Sequence, residues 1–113
     1  MKIIKEEILF EEKDIFGKKI RVTKNYWGKV IIFKHKDIAD KFLSVKKCIK
    51  NADFVEKSKT DPNVFLYYRR EKRYLICVVV KHLNAHGFVI TSYRCKKSRR
   101  GEIVWQKNKK KEK

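Results

Sequence analysis

Val64-Phe65-Leu66-Tyr67-Tyr68-Arg69, Tyr74-Leu75-Ile76-Cys77-Val78-Val79-Val80-Lys81-His82-Leu83 and Gly87-Phe88-Val89-Ile90-Thr91-Ser92-Tyr93-Arg94-Cys95 follow one another closely, with Glu71-Lys72 and Asn84 to His86 marking the breaks. Rich in Val, Ile, Phe and Tyr and bounded by turn-forming residues, the three segments read as β-strands. Connections this short cannot hold a crossover helix, so the strands are expected to form an antiparallel meander. Ile76-Cys77-Val78-Val79-Val80 is apolar without a break, which implies cover on both faces of the sheet at that point. Further out, Asp53 to Lys57 and Glu102 to Gln106 read as two more strands of the same meander, set off by Asp61-Pro62-Asn63 and by Ser98 to Gly101, connections equally too short for a crossover helix.

Upstream of the strands the period changes. From His35 to Asn51 the apolar residues Ile38, Phe42, Val45 and Ile49 recur at helical spacing. Asp37 falls in the first turn and Lys46, Lys47 and Lys50 near the last, as the helix dipole favours, and Asn51 ends the run. Lys19 to Thr23 and Lys29 to Phe33 suggest a hairpin around Asn25 to Gly28, with Val22, Val30, Ile31 and Ile32 as its β-branched members. Ile3 to Phe10 fits neither period over a useful length and is left unassigned. The expected architecture is α+β: one main amphipathic helix packed on a curved antiparallel sheet of four to six strands, whose far face is partly open.

The chain has 113 residues and a mass of 13.7 kDa, enough for one domain over residues 1–106. With 42% hydrophobic and 12% aromatic residues it can bury a core, unlike a disordered sequence. Residues 107–113 are lysine-rich and of low complexity, and read as a frayed tail. No apolar run approaches the roughly 18 residues needed to span a bilayer, and the start of the chain meets acid at once, so the cytoplasm is the expected location. Cys48, Cys77 and Cys95 are odd in number and form no CxxC, which indicates neither a disulfide framework nor a zinc site.

Charge points to a partner. Against 31 Lys and Arg stand 13 Asp and Glu, a net of +18, an excess that makes sense if a polyanion neutralises it. Nucleic acid leads and an anionic membrane follows. The excess is uneven: residues 1–14 hold five acids and three lysines, a net of −2, which leaves +20 on residues 15–113.

Three constellations carry chemistry. His35 stands at the mouth of the expected helix between Lys34 and Lys36, surroundings that should keep its imidazole neutral and fit to act as a general base. Tyr67, Tyr68, Arg69, Arg70 and Arg73 put aromatic and guanidinium groups together; strand alternation sets Phe65, Tyr67 and Arg69 on one face, suited to base stacking and phosphate pairing. Thr91 and Tyr93 project from an otherwise apolar strand, with Lys81 at the end of its neighbour, and the chain runs on into Lys96, Lys97, Arg99 and Arg100. His82 and His86 flank a tight turn and read as solvated loop residues.

Taken in order, His35, Tyr67-Tyr68-Arg69, Val78-Val79-Val80-Lys81, Gly87-Phe88-Val89-Ile90-Thr91-Ser92-Tyr93 and Gly101-Glu102-Ile103-Val104-Trp105 resemble the barnase, EndoU, colicin and RelE-like nuclease superfamily, in its small phage- and mobile-element-associated branch. The likeness spans about residues 26–106. It implies a RelE/barnase-like helix-on-sheet fold and metal-independent RNA cleavage with no cofactor, in which a 2′-hydroxyl attacks the adjacent phosphate. His35 would then be an acid/base group, Arg69 and Lys81 would stabilise the charged phosphorane, and Thr91 and Tyr93 would position the phosphate. Tyr67, Tyr68, Arg73, Lys96, Lys97, Arg99 and Arg100 would hold the RNA. A toxin-like role would bring an acidic antitoxin or immunity protein as partner, or the acidic segment Glu6 to Asp14 folding over the basic face. The alternatives are a non-catalytic RNA- or DNA-binding module and an interaction protein without nucleic-acid affinity.

Overall fold

The computed structural model describes residues 7–39 and 41–107, without the side chain at position 30. Strands β1 (Ile8–Lys13) and β2 (Lys19–Thr23) lead into a helical segment that begins as α1 (Lys24–Tyr26) and continues as a π-helix, Trp27–Ile32. A 3-10 turn (Lys36–Ile38) precedes α2 (Phe42–Lys50); β3 (Phe54–Lys57), β4 (Val64–Glu71), β5 (Tyr74–His82), β6 (His86–Cys95) and β7 (Glu102–Gln106) follow. The seven strands make one sheet, ordered β1-β2-β6-β5-β4-β3-β7. No helix among the described residues is long and apolar enough to cross a membrane.

The chain is α+β, and β3 to β6 form the expected antiparallel meander. The complete sheet is mixed and larger than expected. Residues Lys19 to Arg21 of β2 lie parallel to His86 to Phe88 of β6. A Cβ on Gly87 would stand 2.5 Å from the Lys81 carbonyl oxygen of β5 and 3.1 Å from Ile20 Cδ1 of β2, so glycine is what lets β6 lie this close to the β5 backbone with Ile20 packed beside it.

Two expected elements are corrected. The hairpin partner of β2 is β1, not Lys29 to Phe33, which is helical. Thr23 caps that helix by accepting the Tyr26 N–H at 3.1 Å, and Trp27 and Ile31, four residues apart, are both buried. Burial on a helical period outweighs the strand preference of a β-branched run. The helix expected from His35 is also divided: His35 precedes only the 3-10 turn, and α2 begins at Phe42. Val45, Cys48 and Ile49 are its buried face, and Asn51 ends it as expected. The tail beyond residue 107, and Ile3 and Ile4, lie outside the described residues.

One sheet face packs under α2 and the π-helix, where Ile20, Ile31, Ile38, Val45, Ile49, Tyr67, Ile76, Val78, Val80 and Val89 make the main core. The other carries a smaller core of Leu66, Tyr68, Leu75 and Cys77, flanked by Phe54, Val79, Tyr93 and Cys95. Both faces of Ile76 to Val78 are thus covered, as the unbroken apolar run required, while Val79 stays half-exposed on the second face.

That second cover comes from an unexpected connection. β7 pairs with β3 rather than β6, so residues 96–101 cross the second face diagonally, over β5, β4 and β3. Six extended residues reach about 20 Å, close to four strand spacings of roughly 4.8 Å, so connection length alone did not separate a hairpin from a crossing. Beyond Phe88, β6 has no strand on its outer side among the described residues; there the Asp37 carboxylate accepts the Arg94 N–H at 3.0 Å, and the 3-10 turn lies alongside.

Candidate functional site

Between the crossing segment and the edge of β6 the second face stays open as a groove of about 440 Å³. Its floor is Val64, Leu66 and Val79; its walls include His35, Asp37, Thr91, Tyr93, Arg94 and Arg99. Register explains the grouping. Val79 faces Thr91 and Cys77 faces Tyr93 across β5 and β6, so both hydroxyl residues point to the side away from α2. His35 arrives from outside the sheet, carried over the free edge of β6 by the 3-10 turn, and its ring meets Tyr93 at 5.3 Å between centroids, tilted by 45°.

The groove holds unmet polar capacity. Thr91 Oγ1 and Tyr93 Oη are buried and meet no partner at full hydrogen-bond geometry, although the Cys77 thiol and the Arg99 guanidinium stand beside the Tyr93 hydroxyl; each can still donate to an acceptor. Burial, with the Cys77 thiol alongside, pushes the Tyr93 phenol well above its ordinary range and keeps it protonated. The Arg99 guanidinium lies 5.7 Å from the Tyr93 ring centroid, and no carboxylate pairs with it among the described ion pairs. Arg94 is already engaged, with Nε 3.4 Å from Asp37 and its guanidinium carbon 4.9 Å from the Tyr74 ring centroid.

His35, Thr91, Tyr93 and Arg99 therefore share one concavity; other expected site residues do not. Arg69 projects from the covered face, where Nη1 donates to the Asn51 carbonyl at 2.9 Å and Nε is buried without a partner. Tyr67 lies on that same face, fully buried, so it offers no platform for a base. The alternation was read correctly, but its Tyr67–Arg69 face is the one α2 covers. Lys81 shares a face with Val79 but is not in the groove lining, and its ammonium pairs with Asp61 at 3.1 Å. Tyr68 is buried on the groove side, under residue 99. Arg73 is exposed at the β4–β5 turn, and Lys96, Lys97 and Arg100 are exposed on the crossing segment. Among the described residues, the acidic segment from Glu7 to Asp14 does not cover the groove: β1 is an edge strand, and Glu11 and Glu12 pair with Arg21 at 2.6 Å and Lys46 at 3.5 Å, while Glu6 lies outside the described residues.

Sequence reasoning missed a second cluster. His82 is not a solvated loop residue; its side chain is 10% exposed and stacks on Phe65 at 4.3 Å. Tyr67 donates its hydroxyl proton to the buried Asp14 carboxylate and lies 2.6 Å from His82 Nε2. The single phenolic proton is committed to the carboxylate, so Nε2 must be the donor to Tyr67 and Nδ1 carries the lone pair. Asp14 Oδ1 also accepts the N–H groups of Phe16 and Lys18 at 2.9 and 2.8 Å, closing the β1–β2 turn. Alternation contained the signal: Ile76, Val78, Val80 and His82 share the covered face.

Burial lowers the His82 pKa from its ordinary value of 6.5, against the pull of Asp14. The unfolded chain therefore takes up the proton first as pH falls, and this contribution to stability, complete above 6.5, is lost below it. The urea midpoint should fall between pH 7.5 and 5 in the wild type and less in His82→Gln. Equal slopes would rule His82 out as the source.

Among the described residues, no group of three or more His, Cys, Asp or Glu is placed to hold a metal ion. In comparisons with known proteins, no family model matches the chain, and no curated protein or solved structure is significantly similar to it.

Proposed function

We propose that the protein binds single-stranded RNA along the open-face groove and cleaves it without a metal ion. The observation that carries this reading is the meeting of an imidazole, two hydroxyls able to donate and a guanidinium without a carboxylate in one concavity of a chain with net charge +18. In the proposed step His35 takes the proton of a 2′-hydroxyl, and that oxygen bonds to the adjacent phosphorus. The P–O5′ bond breaks, a water protonates the leaving oxygen, and a 2′,3′-cyclic phosphate remains. Thr91 and Tyr93 donate to the non-bridging oxygens, and Arg99 offsets the charge that builds on them.

Helical cover on the opposite side of the sheet is in keeping with the RelE/barnase-like resemblance, and a toxin-like role opposed by an acidic antitoxin is its corollary. Arg69 and Lys81 drop out of the proposed catalytic set. A second reading, a binding module that does not cleave, is favoured by the single imidazole that lines the groove, since in-line transfer uses both a base and an acid.

One substrate pair separates the two. In EDTA, an all-ribose oligonucleotide should be cut to a cyclic-phosphate end, while its analogue with 2′-deoxy sugars should bind equally and stay intact. Cleavage that needs a divalent cation, or equal cleavage of both, would overturn the mechanism; binding with a steep salt dependence and no cleavage of either would leave the binding module.

A further inference from the structure

The segment that crosses the open face bears Arg99, and three features fix its course. The Tyr68 hydroxyl oxygen, rising from β4, accepts the Arg99 N–H at 3.0 Å. Glu56 Oε1, from β3, accepts the Gly101 N–H at 3.1 Å. A Cβ on Gly101 would stand 2.5 Å from the Lys57 carbonyl oxygen, so the chain there touches the sheet directly. Between these points Arg100 adopts φ +60, a conformation that costs a residue with a side chain and persists where its surroundings enforce it. Ser98 Oγ accepts the Arg100 N–H at 3.0 Å and closes the bend.

Both anchoring side chains are themselves rigid. Tyr68 is fully buried and stacks on Phe54 at 4.9 Å and 17°, and Glu56 is 2% exposed. Neither Tyr68 nor Glu56 lines the groove beside His35, yet both hold the backbone from which the Arg99 side chain reaches over Tyr93. An arginine on a free loop would lose the order of backbone and side chain on binding a phosphate; one on an anchored segment has much of that loss already taken in folding.

We infer that Tyr68 and Glu56 are positioning residues, which hold the crossing segment so that Arg99 stands ready for a phosphate. The inference rests on the proposed RNA-binding role of the groove. It assigns work to residues that touch no ligand, and it makes residues 96–101 a fixed clamp.

The test is a double-mutant cycle on RNA affinity, read by fluorescence anisotropy with the uncleavable 2′-deoxy oligonucleotide. Arg99→Ala should weaken binding by roughly 10-fold, the loss of one hydrogen-bonded charge pair. It should also reduce the salt slope by about one. Tyr68→Phe should weaken binding about 3-fold or more in the wild-type background and leave Arg99→Ala unchanged. Glu56→Ala should behave likewise, and it carries the test if Tyr68→Phe does not fold. Equal losses in both backgrounds would mean only a general effect on the fold and would overturn the inference, as would wild-type affinity in either anchoring variant. If Arg99→Ala itself binds like wild type, the groove is not the RNA site, and the proposed function falls with the inference.

Discussion

His35→Ala is expected to lower RNA cleavage by about 10²- to 10⁴-fold, the usual contribution of a positioned general base. Affinity for the 2′-deoxy oligonucleotide should change only a few-fold, because in the proposed mode Thr91, Tyr93 and Arg99 hold the phosphate. The imidazole is half-buried and belongs to neither core, touching Tyr93 at the margin of the smaller one, so the variant should fold. Arg69→Ala is the informative contrast. The whole sheet separates that guanidinium from the groove, so cleavage should persist, and the lost bond to Asn51 at the end of α2 should register in stability. The two rates, measured under single-turnover conditions in EDTA, decide the matter. A large loss in Arg69→Ala with little in His35→Ala would move the chemistry to the other side of the molecule.

The largest effect on stability should come from one hydroxyl. Tyr67→Phe removes the donor to the Asp14 carboxylate and the acceptor of the His82 N–H together. Neither group can turn to water, since the Asp14 side chain is 0% and the His82 side chain 10% exposed. Leaving a buried charge short of a donor costs more than losing a neutral pair, and the expected loss is about 2 to 4 kcal/mol. Tyr68→Phe, whose hydroxyl serves one backbone N–H, should cost about 1 kcal/mol. Urea unfolding of the two variants side by side gives the comparison; equal losses would show that the Asp14–Tyr67–His82 cluster does not tie the β1–β2 turn to the sheet.

How much of this was legible in the residues differed from element to element. Strands β3 to β7 were readable to within a residue or two, because Val, Ile and Tyr runs end at clear turn residues such as Pro62 and Lys72. Asn51 and the lysines of the last turn marked the end of α2. What was lost depended on tertiary context. The period that joins Ile38 to Phe42 runs on through the break between the 3-10 turn and α2. Val30-Ile31-Ile32 carries strand preferences that the packing of Ile31 overrides.

The site shows the same division. Thr91 and Tyr93 were placed together because alternation within one strand is local, and His35 and Arg99 belonged to the expected set. Alternation also separated Tyr67 and Arg69 from Leu66 and Tyr68, but not which pair α2 would cover. Nor could the pattern reveal that β7 returns to β3, which is what sets Arg99 over Tyr68. The missed His82 lay on a readable face, hidden by its position at a strand end.

One contact at the rim bears on how the molecule behaves in company. Where β6 runs on past β2, its outward amide at Arg94 is occupied by Asp37. A bare strand margin is a template onto which a foreign chain can add, the first step toward fibrous stacking. With that amide taken and a helical turn laid beside it, the margin is blunted, so the residues that carry His35 to the groove also guard the sheet against zippering with its neighbours.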